Sequence, residues 1–437
     1  AKDAVALATK YPEIAGQIVG NFGSQLGNGS DLIRLEDAVE NPVDEVRYFD
    51  GGRWPDLADK GGSSLELRDP DADNSNPQAW AASDEAGKST WQTVTYRDNG
   101  AQSYGLSKWN EFRLGMLGAS ELLIDDVSVV RDPDGAAQQL IQNGDFTTGD
   151  DKWRLVGNHR HSNVIAEPGN VGNQVLHLIS KGATDTRHNH LETTFVNNTA
   201  LVSGQTYEVS YRARWLRGSN AINSRCYYQR AALTTQLDRP EECGTPGAVN
   251  SQFETNIGPT FSGLLHDPPV PAADEAIQIS AEVTDPDGLG NFALKVRVEE
   301  GVTESYPFTV NADGRGTGSI PGQSAGKVIQ FWIEGLDLLG AQSFAPARGE
   351  DSRALIQVHD GQGTNLDIAE VRLVMLDSDL DFMLTNLNLM SNERLGGTAI
   401  YDRSEIFYDA AIRLRGSGAG STSGCPQTRS SAACMTV

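Results

Sequence analysis

With 437 residues the chain is longer than a domain with one ordinary hydrophobic core, so its length predicts two to four domains. A net charge of -24 disfavours nucleic acid, anionic lipid and polyanions as general partners, because long-range repulsion would oppose each encounter. The 46 glycines and 18 prolines are typical of short strands and turns, and no run of eighteen apolar residues predicts a membrane span. Neutral glycans and divalent cations remain compatible with this composition.

The N-terminal part predicts a short helix followed by a hairpin. Apolar residues between Lys2 and Val19 recur at helical spacing, and Pro12 interrupts the helix because proline lacks the backbone donor. LIRLEDA and VDEVRYF then alternate around ENP, which predicts a β-hairpin, and SSLELRDP predicts another strand. The start, AKDAVALATKYPEI, lacks a basic segment and an apolar signal core, so we expect the targeting segment to lie outside this sequence.

The middle of the chain predicts many strands rich in aromatic or β-branched residues, namely TWQTVTY, EFRLGML, LLIDDVSVV, QVLHLIS, LETTFV, TYEVSYRARW and SRCYYQRA. Alternation places Tyr207, Val209 and Tyr211 on one strand face. Further along, AIQISAEVTDPDG and FALKVRVEE predict an antiparallel sandwich ending near His359. Turn chemistry alone explains the DPDG of that sandwich.

The stretch from Glu121 to Leu155 contains two signals in an unexpected order. ELLIDDVSVV resembles the last strand of an extracellular carbohydrate-binding jelly roll, whereas NGDF followed by Trp153 resembles the first strand of the same kind of module. The resemblance implies one jelly roll with a rotated strand order, its last-third strands preceding its first two thirds. RDPDGAAQ would then join what are normally the two termini.

Two further stretches resemble known families. NFGSQLGNGSDLIRLEDA through NPQAWAASDE resembles the later two thirds of a bacterial lamin-tail domain, in which GTPGAVNS follows WAAS closely. Here GTPGAVNS stands at Gly244 to Ser251, so the resemblance implies that the jelly roll is inserted near the end of that domain, where an exposed loop tolerates insertion.

DIAEVRLVMLDSDLDFMLTNL through RLRGSG resembles the opening of the spore-coat-protein-H-like (CotH) kinase family, whose catalytic acids lie beyond this opening.

The predicted fold is all-β, with several β-sandwiches and a short α/β C-terminal piece. The predicted parts are a discontinuous immunoglobulin-like lamin-tail domain (1-87 plus 243-251), an inserted galactose-binding-like jelly roll (88-242), an immunoglobulin- or fibronectin-like spacer (257-360), the start of a CotH-like domain (366-416) and a disordered tail (417-437).

Sugar binding needs flat aromatic faces together with planar amide or guanidinium groups. The candidate ligand-binding residues of the jelly roll are Trp153, Arg160, His159, His161, His188, Asn189, His190, Trp215, Tyr227 and Tyr228. The HRH and HNH pairs each point to one face if extended. A polar ligand-facing surface and exposed loop histidines both remain open, whereas the absence of HExxH disfavours catalytic zinc.

Calcium is the candidate cofactor. In related jelly rolls, carboxylates at strand ends hold a structural calcium, which implies Asp126 and Asp145 as ligands and Asn143 as a carbonyl donor; the alternative is a carboxylate facing water. Cys226 and Cys243 would close a short loop worth about 3 kcal/mol if oxidised, and the sequence leaves their pairing open.

The sequence lacks a GxGxxG motif, we assign no catalytic residue from it, and we expect no enzyme activity from this stretch. We expect a segment of a secreted or surface-located modular bacterial protein that binds a glycan or polysaccharide through the jelly roll. Two alternatives remain: an accessory region of a CotH-like kinase, and a calcium-stabilised adhesion stalk.

Overall fold

The computed structural model describes residues 1-59, 61-100, 110-184, 188-226, 230-362, 369-385, 388-414 and 435-436. Strands in several sheets dominate, which confirms the predicted all-β fold of multiple sandwiches. The chain forms two compact units. The first comprises Ala1–Arg68, Trp80–Phe253 and Ser391–Glu393, and the second comprises Asp69–Ala79, Glu254–Met390 and Arg394–Val437. The finer division into lamin-tail, jelly-roll, spacer and CotH-like parts stays a prediction.

The helices are short. The helix α1 (Ala4–Lys10) follows Asp3, whose carboxylate accepts a hydrogen bond from the Ala6 N–H, and it ends before Pro12, where the sequence predicted an interruption and a 3₁₀ helix starts. The helix α2 spans Asp377–Met383. The 3₁₀ helices are Pro12–Gln17, Asp56–Ala58, Pro77–Ala79, Gly157–His159, Val196–Asn198 and Gly349–Asp351. None of the helices within the described ranges has the length and apolar character needed to cross a membrane.

Two small sheets open the first unit. The strands β1 (Ser30–Glu36) and β2 (Pro42–Phe49) form the predicted hairpin, with Ile33 opposite Val46. The strands β3 (Leu65–Leu67) and β4 (Trp80–Ala82) pair antiparallel.

A sandwich of two sheets makes up the rest of the first unit. Its strands are β5 (Gln92–Asp98), β6 (Glu111–Met116), β7 (Ser120–Arg131), β8 (Gln138–Gln139), β9 (Trp153–Val156), β10 (Asn163–Glu167), β11 (Asn170–Ser180), β12 (His190–Thr194), β13 (Tyr207–Gly218), β14 (Ala221–Cys226) and β15 (Arg230–Gln236). The first sheet has the order β10-β11-β7-β13-β5, with β8 beside β7, and the second has the order β15-β14-β6-β12-β9.

The sandwich core lies between these two sheets. On β13, Tyr207, Val209 and Tyr211 are each at most 1% exposed, as the alternation predicts. They share one hydrophobic cluster with Phe112 of β6 and Leu122 of β7. The opposite faces of both sheets are therefore free to carry polar side chains.

The predicted last strand lies beside the predicted first strand. The Leu140 N–H donates to the Val129 carbonyl over 2.9 Å, and the Val127 N–H donates to the Gly144 carbonyl over 2.9 Å. However, β8 has only two residues, so the first strand is much shorter than the NGDF pattern predicts.

SRCYYQRA, predicted as one strand, belongs to two. The strand β14 ends at Cys226, and β15 begins at Arg230 and returns antiparallel. The candidates Tyr227 and Tyr228 fall between these strands, outside the described residues.

The predicted disulfide is wrong, because Cys226 and Cys243 are both free. Cys226 is fully buried at one end of the β14–β15 hairpin, and burial raises the pKa of its thiol. Cys243 follows the other end, where Gln236 pairs with Ala221.

The second unit contains a larger sheet and a smaller one. The larger comprises β16 (Thr260–Asp267), β17 (Ile277–Thr284), β18 (Leu289–Val298), β19 (Glu304–Val310), β20 (Arg315–Ile320), β21 (Val328–Asp337), β22 (Gln342–Ala345) and β23 (Leu355–Gln357). The smaller has the order β24 (Val371–Val374), β25 (Leu395–Tyr401), β26 (Glu405–Leu414) and β27 (Met435–Thr436). Apolar residues of the larger sheet, such as Ile279 and Phe331, form its core.

Candidate functional site

The outer face of the second sheet of the sandwich carries a row of charged side chains. Along this row Arg225 pairs in register with Arg113, Arg113 with Glu192, and Glu192 with Arg154. Inward-facing neighbours such as Leu114 and Leu191 are fully buried in the core, so these four side chains lie on the opposite face. We call them the polar row; it crosses β14, β6, β12 and β9.

Ion pairs connect the polar row. Arg113 Nε lies 3.0 Å from Glu192 Oε2, and Arg154 Nε lies 2.8 Å from Glu192 Oε1. Glu111 contacts the same two arginines at 3.1 and 3.3 Å. Charge-assisted hydrogen bonds run from Arg113 to Glu111 and from Arg154 to Glu111 and Glu192, and their defined directions hold these planar groups in fixed orientations.

His190 joins the row through Glu192. Its Nε2 lies 2.8 Å from Glu192 Oε2, and its side chain is buried. Burial alone would raise the pKa of Glu192, but hydrogen bonds from His190 and Arg154 outweigh that effect and lower it to about 2. Burial also lowers the pKa of His190. At neutral pH the pair therefore consists of a carboxylate and a neutral imidazole.

A small depression lies beside the row at Gly115. Asn223 of β14 is opposite Gly115, and Asn189, His190 and Arg225 also line the depression, which holds a void of about 10 Å³. We call it the Gly115 pit. The Asn223 side chain donates to Thr234 Oγ1 over 2.9 Å and accepts from Arg225 over 2.9 Å, so the rim too is built from fixed planar groups.

Trp153 and Trp215, predicted as stacking platforms, are core residues. They are 6% and 0% exposed, because β9 and β13 direct them between the sheets. The Trp153 indole N–H donates to the Asn143 carbonyl and that of Trp215 donates to the Gly218 carbonyl. Neither ring presents a face to a ligand, so the prediction is wrong for both.

The prediction that His159 contacts a ligand is also wrong, because this side chain is fully buried. Its Nε2 accepts a hydrogen bond from the Met116 N–H over 2.9 Å, and its Nδ1 lies 2.7 Å from the Asn158 side-chain oxygen. Burial, reinforced by His190, lowers the pKa of His159 to about 3. His159 therefore supports the end of β6 as a neutral ring.

Arg160, His161 and Asn189 contact residues 391-393 of the same unit. Arg160 Nε and His161 Nε2 lie 2.7 and 2.8 Å from Glu393 Oε1. Asn189 exchanges hydrogen bonds with Asn392, donating over 2.7 Å and accepting over 2.8 Å. His188 is half-buried nearby. Of the predicted ligand residues that lie in the described ranges, the structure brings His190 and Asn189 to the Gly115 pit.

The predicted calcium ligands have protein partners. Asp126 Oδ2 lies 2.7 Å from Arg212 Nε, and the same guanidinium binds the buried Asp125. Asp145 accepts from the Thr147 hydroxyl over 3.1 Å, and the Asn143 carbonyl accepts from the Trp153 indole over 2.8 Å. Calcium at these residues stays a prediction, with Arg212 as a competing cation.

An acidic group that the sequence did not predict lies in the second unit. Asp285, Asp287 and Asp337 offer carboxylate oxygens within 4.8 Å of one another. Burial and the charges of Asp337 and Asp287 raise the pKa of Asp285. The buried Asp337 carboxylate accepts from the Asn256 side chain over 2.6 Å and from the Ala341 N–H over 2.9 Å. The DPDG pattern did not reveal the group because Asp337 lies on a distant strand.

The fold and the polar face define an all-β, multi-sandwich protein. No family model matches the chain, and a comparison with curated proteins found no match. Among solved structures, the chain is similar to a bromine derivative of BhCBM56, a carbohydrate-binding module, with 18% identity and a TM-score of 0.16 over 21% of this chain and 88% of that one. It is also similar to a DUF4785 family protein from Legionella pneumophila, with 7% identity and a TM-score of 0.18 over 71% and 70% of the two chains.

A third similar structure is a pullulanase from Bacillus acidopullulyticus, with 12% identity and a TM-score of 0.13 over 60% of this chain and 34% of that one. At such TM-scores these similarities carry no argument about function. The lamin-tail and CotH resemblances stay predictions.

Proposed function

We propose that the sandwich in the first unit binds a glycan on the outer face of its second sheet. The observation that carries the proposal is the polar row together with the Gly115 pit. Sugar hydroxyls both donate and accept hydrogen bonds, and this face offers guanidinium donors, carboxylate acceptors and the Asn223 amide side by side.

Two physical features support binding of a neutral polymer there. The ion-pair network fixes the side chains before a ligand arrives, which reduces the entropy lost on binding. The overall charge of -24 opposes the approach of polyanions but not of neutral polysaccharides. Binding on this face would use these hydrogen bonds and would not involve stacking on Trp153 or Trp215, because both rings are buried.

The test is an array of neutral polysaccharides probed with the whole chain and two Asn→Ala variants. Asn223→Ala removes a rim amide, and Asn163→Ala is the matched control, because Asn163 is exposed on β10 of the first sheet. We expect binding by the wild type and the control, and about tenfold weaker binding by Asn223→Ala, equivalent to ~1.4 kcal/mol. Failure of the wild type on every polysaccharide, or equal binding by both variants, would refute the proposal.

A further inference from the structure

A cavity of about 420 Å³ lies beside the hairpin of β1 and β2 in the first unit. This volume falls within the usual range of ligand pockets, roughly 300–1,000 Å³. The strands β1 to β4 all contribute to its lining, which is mostly apolar and shares no residue with the polar row or the Gly115 pit. We call it the hairpin cavity; its lining includes Ile33, Val46, Tyr48, Asp50, Trp54 and Asp59.

The hairpin cavity is bounded by an apolar face of the hairpin that the protein covers only in part. Ile33 lies opposite Val46, and Tyr48 lies two residues further along β2, so these side chains share one face. The Tyr48 hydroxyl donates to the Gly27 carbonyl over 2.7 Å, which fixes that ring at the cavity. Ile33 and Leu26, which also line the cavity, remain 45% and 54% exposed. The cavity is therefore open to solvent, and an apolar molecule that enters it gains by covering these side chains.

The lining is rich in aromatic residues. Trp54 and Trp80 lie with their ring centroids 6.1 Å apart and their planes tilted by 36°. Tyr48 and Phe49 line the same space. Aromatic rings contribute apolar contact area, and their negative faces also attract cations. This lining therefore suits an apolar body that carries a positive charge.

The charge of the lining has one sign. Asp50 and Asp59 are its charged residues, and the described residues that line the cavity include no Lys, Arg or His. Asp50 is exposed just after the end of β2, where a ligand can reach its carboxylate. The basic residues of the two strands, Arg34 and Arg47, alternate onto the opposite face of the hairpin. The cavity thus attracts cations and repels anions.

We propose that the hairpin cavity binds a small organic cation, in which an ammonium group is attached to an apolar body. The Asp50 and Asp59 carboxylates attract the ammonium group, and the aromatic and aliphatic lining covers the apolar body. A neutral molecule of the same shape lacks the electrostatic attraction, and an anion is repelled. The site lies outside the proposed glycan-binding face, so its test does not depend on sugar binding.

The ligand test uses three probes with one apolar body: 4-phenylbutylammonium, 4-phenylbutanol and 4-phenylbutanoate. Isothermal titration calorimetry of the whole chain at low salt measures their affinities. We expect the ammonium probe to bind about fivefold more tightly than the alcohol, and the carboxylate to bind most weakly. Equal affinities of the ammonium probe and the alcohol, tighter binding of the carboxylate, or no binding of the ammonium probe would each overturn the proposal.

A variant test separates this cavity from the general negative charge of the protein. Asp50→Asn removes a lining carboxylate, and Asp238→Asn is the matched control, because Asp238 is also exposed in the first unit but does not line the cavity. Both substitutions change the net charge by one, so they alter the long-range field alike. We expect Asp50→Asn to weaken binding of the ammonium probe about threefold or more, and Asp238→Asn to bind like the wild type. Equal binding by the two variants would refute the assignment.

Hydrogen–deuterium exchange with the ammonium probe locates its site in the wild-type chain. We expect slower exchange in β1 and β2 and no change in β6, β12 and β14, which carry the carboxylate and arginines of the polar row. Slower exchange in those three strands, with β1 and β2 unchanged, would place the cation on the polar row and contradict the hairpin cavity as its site.

Discussion

His159 is a residue whose protonation works against the fold. Burial, reinforced by His190, lowers its pKa to about 3, whereas an unfolded histidine titrates near 6.5. As pH falls below 6.5, the unfolded chain therefore binds a proton that the folded chain does not, and stability decreases. The stabilising contribution of the neutral ring is fully present above pH 6.5 and is lost progressively down to the folded pKa.

We expect the free energy of unfolding of the first unit to fall by about 2 kcal/mol from pH 7 to pH 5 through His159 alone. His159→Gln keeps a side chain able to accept from the Met116 N–H but removes the titration. Denaturant unfolding at both pH values measures the difference. If the variant loses as much stability on acidification as the wild type, the buried neutral ring is not the cause.

At the level of single residues, the sequence predicted burial along strands better than it predicted which aromatic side chains are exposed. Alternation placed Tyr207, Val209 and Tyr211 correctly in the core. It could not show that Trp153 and Trp215 also face inward, because that depends on which strands pair. The glycine inside EFRLGML was a usable signal, since glycine in a strand often marks close approach of another group.

Among the elements, the short strand β3 holds the returning segment after the sandwich. Glu66 is buried, and it accepts hydrogen bonds from the Thr245 hydroxyl over 2.5 Å, the Ser251 hydroxyl over 2.8 Å and the Gln252 N–H over 3.2 Å. Desolvation would raise the pKa of Glu66, but these hydrogen bonds lower it. The carboxylate thus joins stretches that are far apart in sequence.

Glu66→Ala leaves several donors without an acceptor. We expect a loss of about 3 kcal/mol in the free energy of unfolding, together with faster amide exchange at residues 245-252. Glu241→Ala is the control, because Glu241 is exposed. Melting curves and hydrogen exchange measure both effects, and the role of Glu66 is refuted if the two variants behave alike.

The sequence predicted the ends of strands correctly where turn residues were present. The hairpin around ENP was predicted correctly, because proline and asparagine mark turns. SRCYYQRA contains no glycine or proline, so the change from β14 to β15 could not be predicted from the pattern. The polar row depends on the register between β6, β9, β12 and β14, which are not consecutive in the chain. A pattern within one stretch of sequence therefore could not predict that Arg225, Arg113, Glu192 and Arg154 align.

On the scale of the whole molecule, the all-β class followed from composition and strand patterns, but the grouping of its parts did not. The structure places residues 69-79 with the second unit and residues 391-393 with the first. Such assignments depend on long-range contacts, for example the Asp69 carboxylate accepting from the Ile257 N–H over 3.1 Å. No motif in either stretch signals its distant partner.

Hydrogen–deuterium exchange of the whole chain, with and without the polysaccharide that the array identifies, tests the location of the proposed glycan-binding face most directly. The account predicts slower exchange in β6 (Glu111–Met116), β12 (His190–Thr194) and β14 (Ala221–Cys226), with β16 to β23 unchanged. Slower exchange confined to the first sheet or to the second unit, under conditions where the polysaccharide is bound, would contradict it.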